Sequence, residues 1–414
     1  MLRTAEARKP AGSTPAFDTR DITVTIQRAL ASAGLDTQSG PMKSVTDTIE
    51  RALSSAGLAQ NPGTPASEGV TIDGVARDIT PRRDAKGADA GAVPGAATQD
   101  AATHDRTAQA ETAQAGQFLS RSFTCEAGTR AYRLYIPATY RPDLAEPVPA
   151  IVMLHGCTQS PEDFATGTRM NALADRHGFL VIYPAQPAQA NPTKCWNWFR
   201  PEDQRRALGE PALIAGITRE VVAGYRIDPK RIFVAGMSAG AAMAVVLGET
   251  YPDLFAAVGA HSGLDYGVAH DVPSAMVAMK GSGVVNGQAS QTASSRGSLP
   301  QRESRVPTIV FHGDRDMTVN VRNGAAIVDR VTAGSNGDPA LRPGIEDGLA
   351  ASGRTCRRTT YVDSAGRVLV EYWILTGAGH AWSGGNPAGS FTDARGPDAS
   401  AEMVRFFQAQ NRDR

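Results

Sequence analysis

The stretch VAGMSAGAAM, Val234 to Met243, places a serine between two glycines where an apolar run meets a run of small residues. RIFVAG before it reads as a strand and AAMAVVLGETYP after it as a helix, so Ser238 falls on a strand-to-helix turn in Gly236-Met237-Ser238-Ala239-Gly240. A turn that sharp strains its central residue and brings neighbouring chain close to it. Positions two before and two after must then be small. The pattern Gly-x-Ser-x-Gly satisfies this, which marks Ser238 as a candidate nucleophile.

A serine hydroxyl is a weak nucleophile until a positioned base takes its proton, so a histidine and an orienting carboxylate are needed from later strand ends. Downstream lie FHGDRDMTV (Phe311 to Val319) and TGAGHAWSGG (Thr376 to Gly385), in the order acid then histidine. Among His261, His270, His312 and His380, the last follows a strong strand in a glycine-flanked loop and is the candidate base. His261 and His312 end strands near glycine and suit structural roles, and His270 reads as an exposed loop residue. Asp314 and Asp316 both leave the strand PTIVFHG. Asp316 is the favoured acid and Asp314 a turn former, with the choice open on sequence alone. Donors for a developing oxyanion are expected from the backbone N–H of Ala239 and from the loop LHGCTQ, where a turn at His155-Gly156 presents the amide of Cys157.

Outward from this segment the chain divides. From Phe118 onward short apolar runs alternate with helix-like stretches, the pattern of a mainly parallel sheet flanked by helices, an α/β class. TRAYRLYIP, PAIVMLHG, FLVIYP, RIFVAG, FAAVGAHSG, PTIVFHGD and LVEYWILTG are the expected strands; EDFATGTRMNALADRHG and ALIAGITREVVAGY have helical spacing. Gly281 to Arg305 and Ala333 to Arg354 are polar and glycine- or serine-rich and read as surface insertions. The first 116 residues are rich in Ala, Thr, Gly, Asp and Pro and nearly free of aromatics, the composition of a largely disordered extension before a domain at 117–414. Within it TIQRALASAGL (Thr25 to Leu35) recurs as TIERALSSAGL (Thr48 to Leu58), predicting short helices at about 22–35 and 45–58. Gly-Ala-rich sequence from Asp84 to Ala115 reads as a linker.

Lysine plus arginine equals aspartate plus glutamate, 42 each, so no global field favours nucleic acid or an anionic membrane. No apolar run reaches the roughly 18 residues of a membrane span, and MLRTAEARKPAGSTPAF lacks the apolar core of a secretory signal. Taken alone, that reads as a cytoplasmic chain. Four cysteines, Cys125, Cys157, Cys195 and Cys356, leave room for two disulfides.

Taken together, YRLYIP, LHGCTQSPEDFATGTRMNALADRHGFLVIYP, NPTKCWNWF, FVAGMSAGAAM, YPDLFAAVGAHSG, FHGDRDMTVN and GAGHAWSGG make the chain from about Phe118 to Phe407 resemble the polyhydroxybutyrate depolymerase esterases, relatives of feruloyl and acetylxylan esterases. The resemblance implies an α/β-hydrolase fold and serine ester hydrolysis without metal or organic cofactor. It places a triad on Ser238, Asp316 and His380, and oxyanion amides on Cys157 and Ala239. It further suggests that Trp196 and Trp382, with His155, line the acyl groove, Trp198 being as easily a packing residue. A Cys157–Cys195 bond would clamp the oxyanion loop to the tryptophan loop, and Cys125 with Cys356 would make a second bridge or remain two thiols. The implied partner is a polyester or small ester substrate, with no nucleic acid and no membrane span, and the N-terminal repeats are candidates for contact with a polymer or granule surface. Many members of the family are secreted, so localisation stays open. The rival readings are a feruloyl or acetylxylan type of carboxylesterase and, from another class, a granule-associated scaffold.

Overall fold

In a computed structural model, the structure describes residues 116–143, 146–282, 284–285, 288–289, 305–333, 340–349 and 353–411. Both N-terminal repeats and most of the Gly281 to Arg305 segment lie outside them. In chain order the elements are β1 (Gln117–Cys125), β2 (Gly128–Ile136), β3 (Val148–Leu154), α1 (Pro161–Thr168), α2 (Met170–His177), β4 (Leu180–Pro184), α3 (Gly209–Gly224), β5 (Ile227–Met237), α4 (Ala239–Thr250), β6 (Ala257–His261), α5 (Val272–Met279), β7 (Val284–Val285), β8 (Gln288–Ala289), β9 (Thr308–Gly313), α6 (Arg322–Ala333), β10 (Arg342–Leu349), β11 (Thr355–Val362), β12 (Val368–Leu375), β13 (Trp382–Ser383), β14 (Thr392–Asp393) and α7 (Ala399–Gln408).

Ten strands form one sheet in the order β1-β2-β4-β3-β5-β6-β9-β12-β11-β10. The centre, from β4 to β12, is parallel, and antiparallel strands extend both edges. Central strands read as unbroken apolar runs because successive side chains alternate between two covered faces. In β3, Val152 and Leu154 join one core with residues of α3, α4 and α6, while Ile151 and Met153 join the other with residues of α1, α2 and α7. α4 is buried almost all round, as its sequence AGAAMAVVLGET requires, since a helix with no polar face has none to give to water. The chain passes from β3 to β4 on one side and then to β5 on the other, so the order reverses at β3. In such sheets, ligand crevices form beyond the carboxyl ends of the strands at the reversal.

Two expectations need correction, and one open choice is decided. The helical stretch from Glu162 is two helices, broken at Arg169, which adopts a left-handed conformation (φ 55°, ψ 24°) and ends α1. The supposed insertion Ala333 to Arg354 contains β10, which pairs antiparallel with β11. Its polar side chains suit an edge strand whose residues 342–348 are all exposed. Cys125 and Cys356 are free thiols. They sit on β1 and β11, eight strand steps apart, roughly 40 Å at ordinary strand spacing and far beyond disulfide reach.

Candidate active site

Four loops leaving the carboxyl ends of β3, β5, β9 and β12 carry His155-Gly156-Cys157, Ser238, Asp316 and His380. Ser238 has φ 56° and ψ −122°, a strained conformation for a residue with a side chain. It is fixed from both sides: its N–H donates to the His261 carbonyl at 2.9 Å and its carbonyl accepts from Ala242 N–H at 3.0 Å. The flanking glycines are steric necessities. A Cβ on Gly240 would collide with the Leu154 and His155 carbonyls, and one on Gly236 with the backbone of Gly240 and with Leu154 O. Among the described residues the Ser238 hydroxyl accepts or donates no hydrogen bond, and the residue is 9% exposed, so its oxygen remains available.

His380 Nδ1–H donates to Asp316 Oδ2 at 2.7 Å. Asp316 Oδ1 accepts from the N–H groups of Thr318 at 2.9 Å and Val319 at 2.8 Å. Burial by itself would raise the Asp316 carboxyl, but the hydrogen bond and charge of His380, the Val319 N–H and His312 outweigh it and hold the group below its ordinary value. An ionised Asp316 keeps the proton of His380 on Nδ1, which leaves Nε2 as the basic nitrogen. Asp314 is exposed, and its Oδ1 accepts from Gly377 N–H at 2.6 Å. With Asp314 N–H on Leu375 O and Arg315 N–H on Ala378 O, it ties the acid loop to the histidine loop. The two aspartates, open alternatives in sequence, thus occupy different places, and Asp316 alone reaches the imidazole.

In the oxyanion loop, Gly156 N–H is occupied by Gln159 Oε1 at 2.9 Å. The Gln159 amide in turn donates to Asp163 Oδ2 at 2.9 Å and to Ser390. Cys157 N–H meets no acceptor among the described residues, and Ala239 is the first residue of α4, where an N–H has no intrahelical partner. These two amides are therefore available to a developing negative charge, and the positive end of the α4 dipole adds to them. Cys157 is bonded to Cys195, across 38 positions of sequence, so the clamp between the two loops is formed. Thr158 N–H on the Thr193 carbonyl, 2.7 Å, reinforces it.

The remaining candidates stand elsewhere. Trp196 and Trp382 are 0% and 1% exposed, and their indole N–H groups are committed to His155 O at 3.0 Å and Ser400 Oγ at 3.1 Å. His155 is equally buried: Nδ1–H donates to Gly156 O at 2.8 Å and Nε2 accepts from Gln186 N–H at 3.1 Å. Burial, against the Gly156 carbonyl, pushes it down to about 4, so it is neutral. The groove-lining expectation for these three finds no support in their positions, because buried rings with spent polar atoms brace the loops from beneath. Trp198 is likewise packed, edge-on to Phe199. Two residues escaped sequence reading, while His261 takes the structural role that its place at a strand end suggests. His261, buried and pushed to about 3 by burial and then by His312 and His380, accepts Ser383 N–H at 3.0 Å and steadies the loop after His380. Gln159 holds the Gly156 N–H and is itself held by Ser390. Neither Gln159 nor Ser390 shows as a recognisable spacing, since Gln159 holds a backbone amide three residues back and its partner Ser390 lies 231 positions away.

A family model described as Esterase PHB depolymerase matches residues 130–335, about half of the chain. Poly(3-hydroxyalkanoate) depolymerase C of Paucimonas lemoignei is 35% identical over 234 residues, 56% of this chain and 54% of that protein. Feruloyl esterase B of Neurospora crassa is 37% identical over 128 residues, 30% of this chain and 43% of that one. The chain thus spans about half the length of the curated relatives it matches. The solved structure of an acetyl xylan esterase from Aspergillus awamori superposes with a TM-score of 0.53 at 20% identity, covering 70% of this chain and 99% of that one, which establishes the shared fold.

Proposed function

The chain belongs to the polyhydroxybutyrate depolymerase family of α/β-hydrolase esterases, and on that premise we propose that it is a serine esterase that cleaves poly- or oligo(3-hydroxyalkanoate) esters through an acyl-enzyme. The observation that carries the reading is the 2.7 Å Asp316–His380 hydrogen bond, together with a serine on a strained, glycine-flanked elbow at the same carboxyl end of the sheet. His380 Nε2 takes the Ser238 proton as Oγ bonds to the ester carbonyl carbon. The carbonyl oxygen becomes an oxyanion facing the Cys157 and Ala239 amides, each such donor contributing roughly 3 kcal/mol of barrier lowering. Collapse breaks the C–O bond to the alcohol, which leaves with the proton from His380. Water then repeats the sequence on the acyl-enzyme and releases the acid. No step calls for a metal or cofactor.

The Paucimonas relative favours hydroxyalkanoate esters as substrate. A second reading, a carboxylesterase of feruloyl or acetylxylan type, draws on the shorter match to Feruloyl esterase B. One turnover panel separates them: hydroxybutyrate oligomers, polymer granules, feruloyl esters and acetylated xylan. Faster turnover of oligomers or granules supports the proposal; turnover of the plant-wall esters alone supports the second reading. Contact between the N-terminal repeats and a polymer surface belongs to the same proposal, and binding of the full chain to granules tests it. Granule binding with no turnover of any ester would favour the scaffold instead.

A further inference from the structure

Of the buried carboxyl groups for which the proposed chemistry has no task, one stands beneath the oxyanion loop. Glu210, in the first turn of α3, is 4% exposed. Its Oε2 accepts from the Asn197 backbone N–H at 2.7 Å, and its Oε1 accepts from Asn197 Nδ2 at 2.7 Å and from Gln186 Nε2 at 2.5 Å. The guanidinium of Arg130 lies 4.0 Å away, and Asp203 accepts the Glu210 backbone N–H at 2.7 Å.

The Gln186 and Asn197 arms of this web end on the oxyanion loop. Gln186 donates its backbone N–H to His155 Nε2 and its side-chain amide to the Cys195 carbonyl at 2.9 Å. Cys195 is bonded to Cys157, and Trp196, between Cys195 and Asn197, donates to the His155 carbonyl. Both strips of chain that brace residues 155–157 from below are therefore fastened to one carboxylate. A carboxylate is suited to this because it only accepts, with room for about four donors, whereas an amide would turn one NH2 towards donors.

We propose that Glu210 is a positioning residue for the oxyanion hole, fixing the direction of the Cys157 N–H through Gln186 and Asn197. The inference rests on the reading of Ser238 as an esterase nucleophile. A donor stabilises the transition state only if it is aimed where the oxyanion will be, so a small loss of aim lowers turnover and leaves ground-state binding intact.

The test uses the full chain, p-nitrophenyl butyrate, and a matched pair of inhibitors: an aliphatic trifluoromethyl ketone, which adds to the serine and forms an oxyanion, and the corresponding methyl ketone, which binds without adding. In Glu210→Gln, kcat/KM is expected to fall by about 10- to 100-fold. Affinity for the trifluoromethyl ketone should fall by the same factor and affinity for the methyl ketone by less than about twofold. A folded variant with kcat/KM within twofold of the parent would overturn the proposal, as would parallel loss for both ketones. Should Glu210→Gln not fold, Gln186→Met, which removes one arm at similar volume, is judged by the same criteria. Failure of both to fold would make the web a stability element and also overturn the positioning role. Failure of the esterase reading would show first in the unmodified chain, as no turnover and no trifluoromethyl ketone binding.

Discussion

Replacing Asp316 by asparagine keeps the shape of the site and inverts one hydrogen bond. The new side chain cannot choose its orientation freely. Thr318 and Val319 donate two N–H groups to the Oδ1 position, so the amide oxygen is held there and the NH2 falls at Oδ2. That NH2 then faces His380 Nδ1, now 2.7 Å from an acceptor. Two donors cannot share the contact, so the imidazole moves its proton to Nε2 and presents N–H to Ser238 where a base is required. Loss of the correct tautomer and of the charge that stabilises the imidazolium is worth about 10⁴-fold in kcat, about 5 kcal/mol of barrier. Asp314→Asn is the matched control: its amide oxygen can still accept from Gly377 N–H, and kcat should stay within about fivefold. The assay is kcat for p-nitrophenyl butyrate in both variants, with circular dichroism to establish folding. An inactive Asp314→Asn beside an Asp316→Asn within tenfold of the parent would refute the reasoning.

Two further outcomes follow from the same contacts. Removing the Cys157–Cys195 bond by Cys195→Ser opens a loop of 38 positions, worth about 4 kcal/mol in the chain-entropy picture, read as a lower urea midpoint; an unchanged midpoint would show that the clamp adds nothing to stability. Burial holds His155 at about 4 and His261 at about 3, below the unfolded value of about 6.5, so the unfolded chain takes up protons first as the pH falls below 6.5. Each ring's contribution to stability should therefore be full above that value and drop by about 2 kcal/mol by pH 5, opposed by Asp203 and Asp265, which burial pushes up to about 7 and about 6 and which favour the folded chain as they take up protons; the NMR resonances of both imidazoles should still be those of the neutral ring at pH 5, and titration of either ring above pH 5 in the folded protein would contradict its neutral, hydrogen-bonded assignment.

The parts legible in sequence are those whose physics is local. β3, β5 and β9 are covered on both faces, so PAIVMLHG, RIFVAG and PTIVFHGD carry unbroken apolar runs. The elbow around Ser238 announces itself because its steric demand falls on Gly236 and Gly240, within two residues. β1 and β10 are the edge strands and β11 lies next to β10, at the ends of the sheet that meet water; segments such as RPGIEDGL and TCRRTTYV bear charges and leave no periodic apolar signal. Arg169 interrupts a pattern that stays helical on either side of it, and nothing in its side chain signals a left-handed backbone. At the site, residue type and chain order pointed to Ser238 and His380, but the choice between Asp314 and Asp316 required distances. The family resemblance puts Trp196 and Trp382 in the groove, whereas their N–H groups are spent on partners at 155 and 400. Glu210 was invisible for the converse reason: its whole role is carried by contacts to backbone and amide groups elsewhere in the chain.

The most direct measurement is site-mapped labelling of the full chain with a fluorophosphonate, which reacts with a serine only where a base has activated it. One adduct is expected, on the peptide containing Ser238, absent from Ser238→Ala and from heat-denatured protein, with ester hydrolysis lost in step. Ester turnover that persists in Ser238→Ala, or a folded and active chain that takes the label on a different serine, would contradict the assignment of Ser238.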